Sequence, residues 1–233
     1  LMLDYAAGGR PDHLLTFHRT SLLLHLANTL LIVILLYQLF RDAWAAGLAG
    51  LLFGVHPMTV ENIFWVGERK TVLAAFFVLI ALVAYVHYAR RGSRWAYGLS
   101  IVAFVLGLLA KPTITPLPVC LLLLDLWPLD RLIAQADTGR PVLRVWRWLL
   151  DRRVLLEKIP FLLIACVSAI ITFESQRRTA VAVLPGQEDS TNIPYVVCHN
   201  IVFYLWKMVL PIRMSSNYAF PSPTSLANPP ILA

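Results

Sequence analysis

Between two strongly apolar runs lies "HPMTVENIFWVGERK", residues 56–70, which gathers a histidine, two glutamates, an arginine and a lysine. Carboxylates such as Glu61 and Glu68 can take a proton from a hydroxyl or hold a cation. Arg69 and Lys70, at the mouth of the next apolar run, can hold a phosphate, the guanidinium as a planar fork and the ammonium as a point charge. On a helix after Pro57, Glu61, Trp65 and Glu68 are expected to share one face. Lys111 ends another apolar run and is followed by "PTITPLP", a position that suits either a headgroup anchor or a second phosphate ligand. The same residues also suit a solvated loop with snorkelling cations and an anchoring tryptophan, so residue type alone leaves both uses open.

A second polar set sits inside the run "FHRTSLLLHLANTLL". His18, Ser21, His25 and Asn28 are spaced three, four and three apart, which aligns them on one helix stripe. Such a stripe faces either neighbouring helices, through hydrogen bonds, or a polar cavity. His18, His25, Asn28 and, at the start of the polar insert, His56 are the cavity-lining candidates. Asp125 in "LLLLDLWPLDR" is read as a structural carboxylate paired with the basic loop that follows. Glu174, Arg177 and Arg178 close a later run. The sequence has no P-loop, no His/Cys metal cluster and no nucleophile elbow, so no metal ligand set or cofactor is named. The glutamates leave a divalent metal open.

The elements that hold these residues are long and apolar. Of 233 residues, 58% are hydrophobic and only 14% charged, against roughly a quarter charged in soluble domains. Runs near the ~20 residues needed to cross ~30 Å of hydrocarbon recur along the chain. The fold class expected is an all-α, polytopic transmembrane helix bundle. Its segments are roughly 17–40, 43–56, 71–89, 95–110, 113–127, 156–174 and 195–211, the last either interfacial or spanning. In the second segment Ala46, Gly50 and Gly54 recur every four positions, a stripe along which a neighbouring backbone can approach.

The net charge of +7 is concentrated in loops and is not a nucleic-acid signature. Arg41, the "ARRGSR" turn and the loop 128–158 fall on one side if spans alternate. The bias of basic loops makes that side cytoplasmic, with loop 56–70, Lys111 and loop 175–195 external. Trp146, Trp148 and interleaved arginines suit a helix at the cytoplasmic headgroup boundary. The cysteines, Cys120, Cys166 and Cys198, give no disulfide framework and are read as packing residues. The chain opens on Leu1 and stops in "NPPILA", so residues 1–233 are read as a fragment with more sequence expected at both ends.

The succession "FHRTSLLLHLANTLL", "LLFGVHPMTVENIFWVGERKTVLAAFFVLIALVAYVHYARR", "LGLLAKPTITPLPVCLLLLDLWPLDR", "LLEKIPFLLIACVSAIITFESQ" and "FYLWKMVLPIRMSSNYAFPSP" resembles one family over almost the whole chain. That family is the membrane portion of bacterial multispan proteins with tetratricopeptide repeats, similar to the transmembrane and tetratricopeptide-repeat O-mannosyltransferases. The resemblance implies a partial domain of the GT-C glycosyltransferase fold. It implies transfer of a sugar, such as mannose, from a polyprenyl-phosphate carrier to a hydroxyl of a protein or glycan acceptor on the external or lumenal face, in a bacterial inner membrane. His56, Glu61, Glu68, Arg69 and Lys111 fall on the family's motif positions. Relatives often carry Asp after "ERK", where this chain has Thr71. The family's catalytic acid is expected upstream of Leu1, since Asp4 lies too near the first span, and the repeats are expected downstream. Two other readings stay open: a membrane anchor without catalysis that presents a repeat domain, and a lipid or solute transporter.

Overall fold

The computed structural model describes residues 14–131, 152–179 and 193–211. Every regular element among them is helical. The expected basic interfacial helix at Trp146 and Trp148, residues 180–192 of the loop 175–195, and Asp4 lie outside the described residues.

Helix α1 (Leu15–Phe40) ends where Arg41 adopts φ 61°, its N–H closing onto the Tyr37 carbonyl. Asp42 then starts α2 (Ala43–Val55) by accepting from the Trp44 and Ala45 amides, as a capping carboxylate does at the free N–H groups of a first turn. His56 both closes α2 and opens α3 (Pro57–Phe64), with Pro57 in the first turn where its missing N–H is harmless. The two helices meet at 48° and together reach the length of one span. A 3₁₀ turn, Val66–Glu68, leads into α4 (Arg69–Arg91). Helix α4 stops at Gly92, whose φ of 67° suits a residue without Cβ. Ser93 caps α5 (Arg94–Ala110). A second 3₁₀ turn, Pro112–Ile114, precedes α6 (Leu117–Leu126).

Hydrogen bonds fix the directions. Arg69 reaches the Phe17 carbonyl, and Arg90 reaches the Leu39 carbonyl at 2.9 Å, so α1 and α4 run parallel. The α2–α3 pair returns along α1, with Gly54 beside His25 and Ile63 beside His18. Helix α5 runs back along α4, tied by Ser100 to the Ala81 carbonyl at 2.8 Å. The Gly stripe works as expected at one point in particular. A Cβ on Gly50 would overlap Val33, whereas Gly47 has open space.

Helix α7 (Arg152–Thr179) enters through Phe161, which is fully buried among Tyr85, Tyr97 and Phe104. These rings, with Ala81, Ala103, Leu117 and Leu121, form the core of the unit that extends to Glu174. Outside the core, leucines such as Leu23 and Leu30 on α1 and Leu109 on α5 are exposed. Apolar flanks on this scale suit lipid rather than water.

Among the described residues three helices are long and apolar enough to cross a membrane, at Leu15–Phe40, Arg69–Arg91 and Leu156–Arg177, with a fourth if the bent pair is taken as one span. The chain is an all-α integral membrane protein. The expected segments 95–110 and 113–127 correspond to two shorter elements. Arg94–Ala110 and Pro112–Leu126 are shorter apolar helices, and in the second the prolines of "PTITPLP" delay a regular helix until Leu117. The cysteines are exposed on helix surfaces rather than packed inside. The last helix, α8 (Ile193–Val209), belongs to a second unit. Its His199, Phe203 and Lys207 stack along one face, with the ammonium 5.5 Å from the Phe203 ring centre.

Candidate functional site

At the N-terminal end of α4 three side chains from two hairpin tips meet. Lys111, the residue that closes α5, donates to the Thr71 hydroxyl at 2.6 Å and to Glu68 Oε2 at 3.5 Å. Thr71 in turn donates to the same Oε2 at 2.5 Å. The sequence reading named Glu68 and Lys111 and missed Thr71 as their bridge. A hydroxyl one turn after a glutamate is the signal that was available. The Thr71 hydrogen bond holds the Glu68 carboxyl below the usual glutamate range, helped by the charges of Lys111 and Lys70 and opposed by desolvation. The group is open to solvent, with 37% of the Glu68 side chain and 28% of Lys111 exposed, so a ligand can reach both.

The expectation that Glu61, Trp65 and Glu68 share a helix face is overturned. Helix α3 ends at Phe64, Trp65 is extended, and Glu68 sits in the separate 3₁₀ turn. Glu61 is exposed on α3, Lys70 is exposed on the first turn of α4, and Phe64 and Trp65 point outward beside them. Arg69 takes a different direction. It is buried, donates to the Phe17 carbonyl at 2.5 Å and to Ser21 Oγ at 3.4 Å, and lies 5.5 Å from the Phe17 ring centre. It clamps α4 to α1.

The polar stripe of α1 goes the same way. His18 Nδ1 donates to the Ile63 carbonyl at 3.4 Å and His25 Nε2 to the Gly54 carbonyl at 3.0 Å. Asn28 Nδ2 donates to the Val72 carbonyl at 3.0 Å. Each bond joins α1 to α3, α2 or α4. His56 accepts from the Met58 amide through Nδ1, at 3.3 Å, and so caps α3.

A second ionic cluster lies at the other end of α4. Asp125 is fully buried, accepts from Tyr85 at 2.6 Å and Lys158 at 2.5 Å, and pairs with Arg131 at 3.2 Å. Arg131 forks onto both oxygens of Glu157, at 2.8 and 3.2 Å, and Lys158 also donates to the Tyr85 hydroxyl. Asp125 therefore pairs with the basic segment as its position in the sequence suggests. Lys158, counted there with the basic loop, is instead wholly buried. Fourteen residues of α4 separate Thr71 from Tyr85, which is about 21 Å of helix. Among the described residues no group of three or more His, Cys, Asp or Glu side chains is arranged to hold a metal.

An all-α membrane bundle with an exposed Lys–Thr–Glu group at one helix end, and a buried ionic lock at the other, is the class of protein these features define. The chain is 33% identical over 91 residues to protein O-mannosyl-transferase TMTC2 of Mus musculus and, to the same degree, of Homo sapiens. The match covers 39% of this chain and 11% of those proteins. No family model matches the chain, and no solved structure matches it.

Proposed function

We propose that the chain is the membrane part of a glycosyltransferase that moves a sugar from a polyprenyl-phosphate carrier to an acceptor hydroxyl. The partial similarity to protein O-mannosyl-transferase TMTC2 favours mannose as the sugar and a protein as the acceptor. The observation that carries the reading is the convergence of Lys111 with Glu68 and Thr71 on the exposed end of lipid-facing helices. A carrier lipid lies in the bilayer and presents its phosphate at the helix ends, where Lys111 and exposed Lys70 can neutralise the charge that grows on the leaving phosphate. Arg69 fixes the start of α4 through its bonds to α1, so its part is to position Lys70 and Thr71. Exposed Glu61 is the described carboxylate best suited to take a proton from an acceptor. The reaction takes place on the external or lumenal face, at the end opposite the arginine-rich turns, and the host membrane is a bacterial inner membrane.

The test is sugar transfer from a polyprenyl-phosphate donor, measured with the full-length protein in liposomes. Lys111→Ala is expected to lower kcat by about 10²–10³, the loss seen when one preorganised donor to a developing oxyanion is removed. Lys70→Ala should raise KM for the donor. Wild-type kcat in Lys111→Ala, in a protein that keeps its melting temperature, would sink the assignment.

A further inference from the structure

A groove of about 960 Å³ opens between α1, α4 and α5 in the half of the bundle away from Lys111. Its walls are apolar, with Leu31 from α1, Ile80 and Val83 from α4, and Leu99 from α5. At the helix ends its lining turns polar, with Gln38, His87 and Arg94. The Gln38 side-chain oxygen is buried and has no hydrogen-bond partner among the described residues. Trp95, 90% exposed, stands at the mouth. Trp44 stands out equally at the start of α2, so indole rings ring this end as they do at a headgroup boundary.

The charged residue that lines the groove at this end is Arg94, while the carboxylates Asp125 and Glu157 are paired with Lys158 and Arg131. Arg90 bonds the Leu39 carbonyl and so lies beside Arg41. Arg91 and Arg94 flank the Gly92 turn. Asp42, next to Arg41, has one carboxylate oxygen committed to the Trp44 and Ala45 amides. An apolar trough that ends in cations and an orphaned acceptor is complementary to a molecule with hydrocarbon, a negative phosphate and a hydroxyl donor, in that order.

We propose that this groove binds one anionic glycerophospholipid whose headgroup carries free hydroxyls, of the phosphatidylglycerol type. An acyl chain lies along Ile80, Val83 and Leu99. The phosphate meets Arg94, and a glycerol hydroxyl donates to Gln38. A choline headgroup has no donor for Gln38 and no net negative charge for the arginines. The headgroup end at Arg94 is about 25 Å of helix away from Lys111, and the site does not depend on the transferase reading.

Native mass spectrometry of the full chain, exchanged into micelles with defined lipids, tests this. Wild type is expected to retain one phosphatidylglycerol in preference to phosphatidylcholine. Arg94→Gln should weaken that retention about five- to tenfold, the worth of one cation near an anionic lipid surface. Gln38→Leu should abolish the preference for phosphatidylglycerol over phosphatidic acid, which has the charge without the glycerol hydroxyls. Leu99→Trp, which fills the trough, should displace the lipid while Arg94 is intact. Equal retention of phosphatidylglycerol and phosphatidylcholine by wild type overturns the proposal. So does competition by inorganic phosphate at the same concentration as lipid, which would make the site one for a soluble anion. Unchanged retention in both Arg94→Gln and Leu99→Trp would move the lipid elsewhere.

Discussion

Glu68 and Lys111 share a hydroxyl, and the consequence for each is different. A general base works best when its pKa lies near the working pH. Glu68 is pushed the other way by the Thr71 hydroxyl and two lysines, so it is a weak base and a good counter-ion. It holds the Lys111 ammonium in place and leaves proton transfer to another carboxylate. The depressed value has a stability signature with a definite sign. A carboxylate whose folded pKa is lowered contributes stability above its unfolded value, about 4.3 for glutamate. That contribution disappears as pH falls through the lower folded value. Thr71→Val removes the strongest of the bonds to Glu68 and should return its pKa towards the ordinary range. Wild type and Thr71→Val are expected to differ by about 1–3 °C in melting temperature near neutral pH, a small gap because the group is exposed. The two curves should converge below about pH 4. Thermal melts in detergent across pH check this, and a gap that persists undiminished in acid shows that Thr71 acts through packing rather than through the Glu68 charge.

At the level of elements, the ends of helices were the hardest to read from sequence and the apolar spans the easiest. The runs that became α1, α4 and the middle of α7 are visible as hydrophobic stretches, since a helix in lipid satisfies its own backbone. The α3 end at Phe64 was not visible. "ENIFWVGERK" has good helix formers on both sides of the break, and only Gly67 hints at it. The site followed the same division. Lys111 and Glu68 were legible as ionic residues at span mouths, but the direction of Arg69 was not, because a buried partner such as the Phe17 carbonyl leaves no mark on residue type. The ionic lock at the other end shows how elements without long spans are held. Helix α6 has ten residues, too few to cross by itself. Asp125 ties it to Tyr85 on α4 and to Lys158 on α7. Removing one partner of a buried ion pair typically costs about 3–5 kcal/mol, whereas replacing both by apolar groups is often near neutral. Lys158→Met should therefore destabilise the protein by about 3 kcal/mol, and adding Asp125→Leu should recover most of the loss. Unfolding in mixed micelles monitors both. A double variant as unstable as the sum of its singles would mean that Asp125 and Lys158 act independently, with Arg131 and Tyr85 as the true anchors.

For the whole molecule, the two ionic groups define a polarity along the bundle that neither defines separately. Helices α1 and α4 start at the Lys111 end and finish at the arginine end, and the bent α2–α3 pair and α5 return. Arg41, Arg90, Arg91, Arg94 and Arg131 thus gather towards one end, although they come from three separate connections. Glu61, Glu68, Lys70 and Lys111 occupy the other. From Arg69 to Arg91 the helix rises about 33 Å, the thickness of a hydrocarbon core. One slab of lipid can therefore hold the apolar flanks of α1, α4 and α5, with the exposed Lys111 group at one face and the arginine-rich turns at the other. Basic loops stay on the cytoplasmic side during insertion, so the Lys111 end is expected outside. Cys120, Cys166 and Cys198 are free and exposed and can be replaced by serine to give a clean background. In that background Glu61→Cys should react with a membrane-impermeant maleimide added outside intact cells. Arg91→Cys should react only after the membrane is opened. Labelling of both positions from the same side would mean that α4 (Arg69–Arg91) does not cross the bilayer. Labelling in the reverse sense would keep the bundle but turn it over, putting the proposed transfer on the cytoplasmic face, where a carrier loaded there would meet Lys111 without first crossing the bilayer.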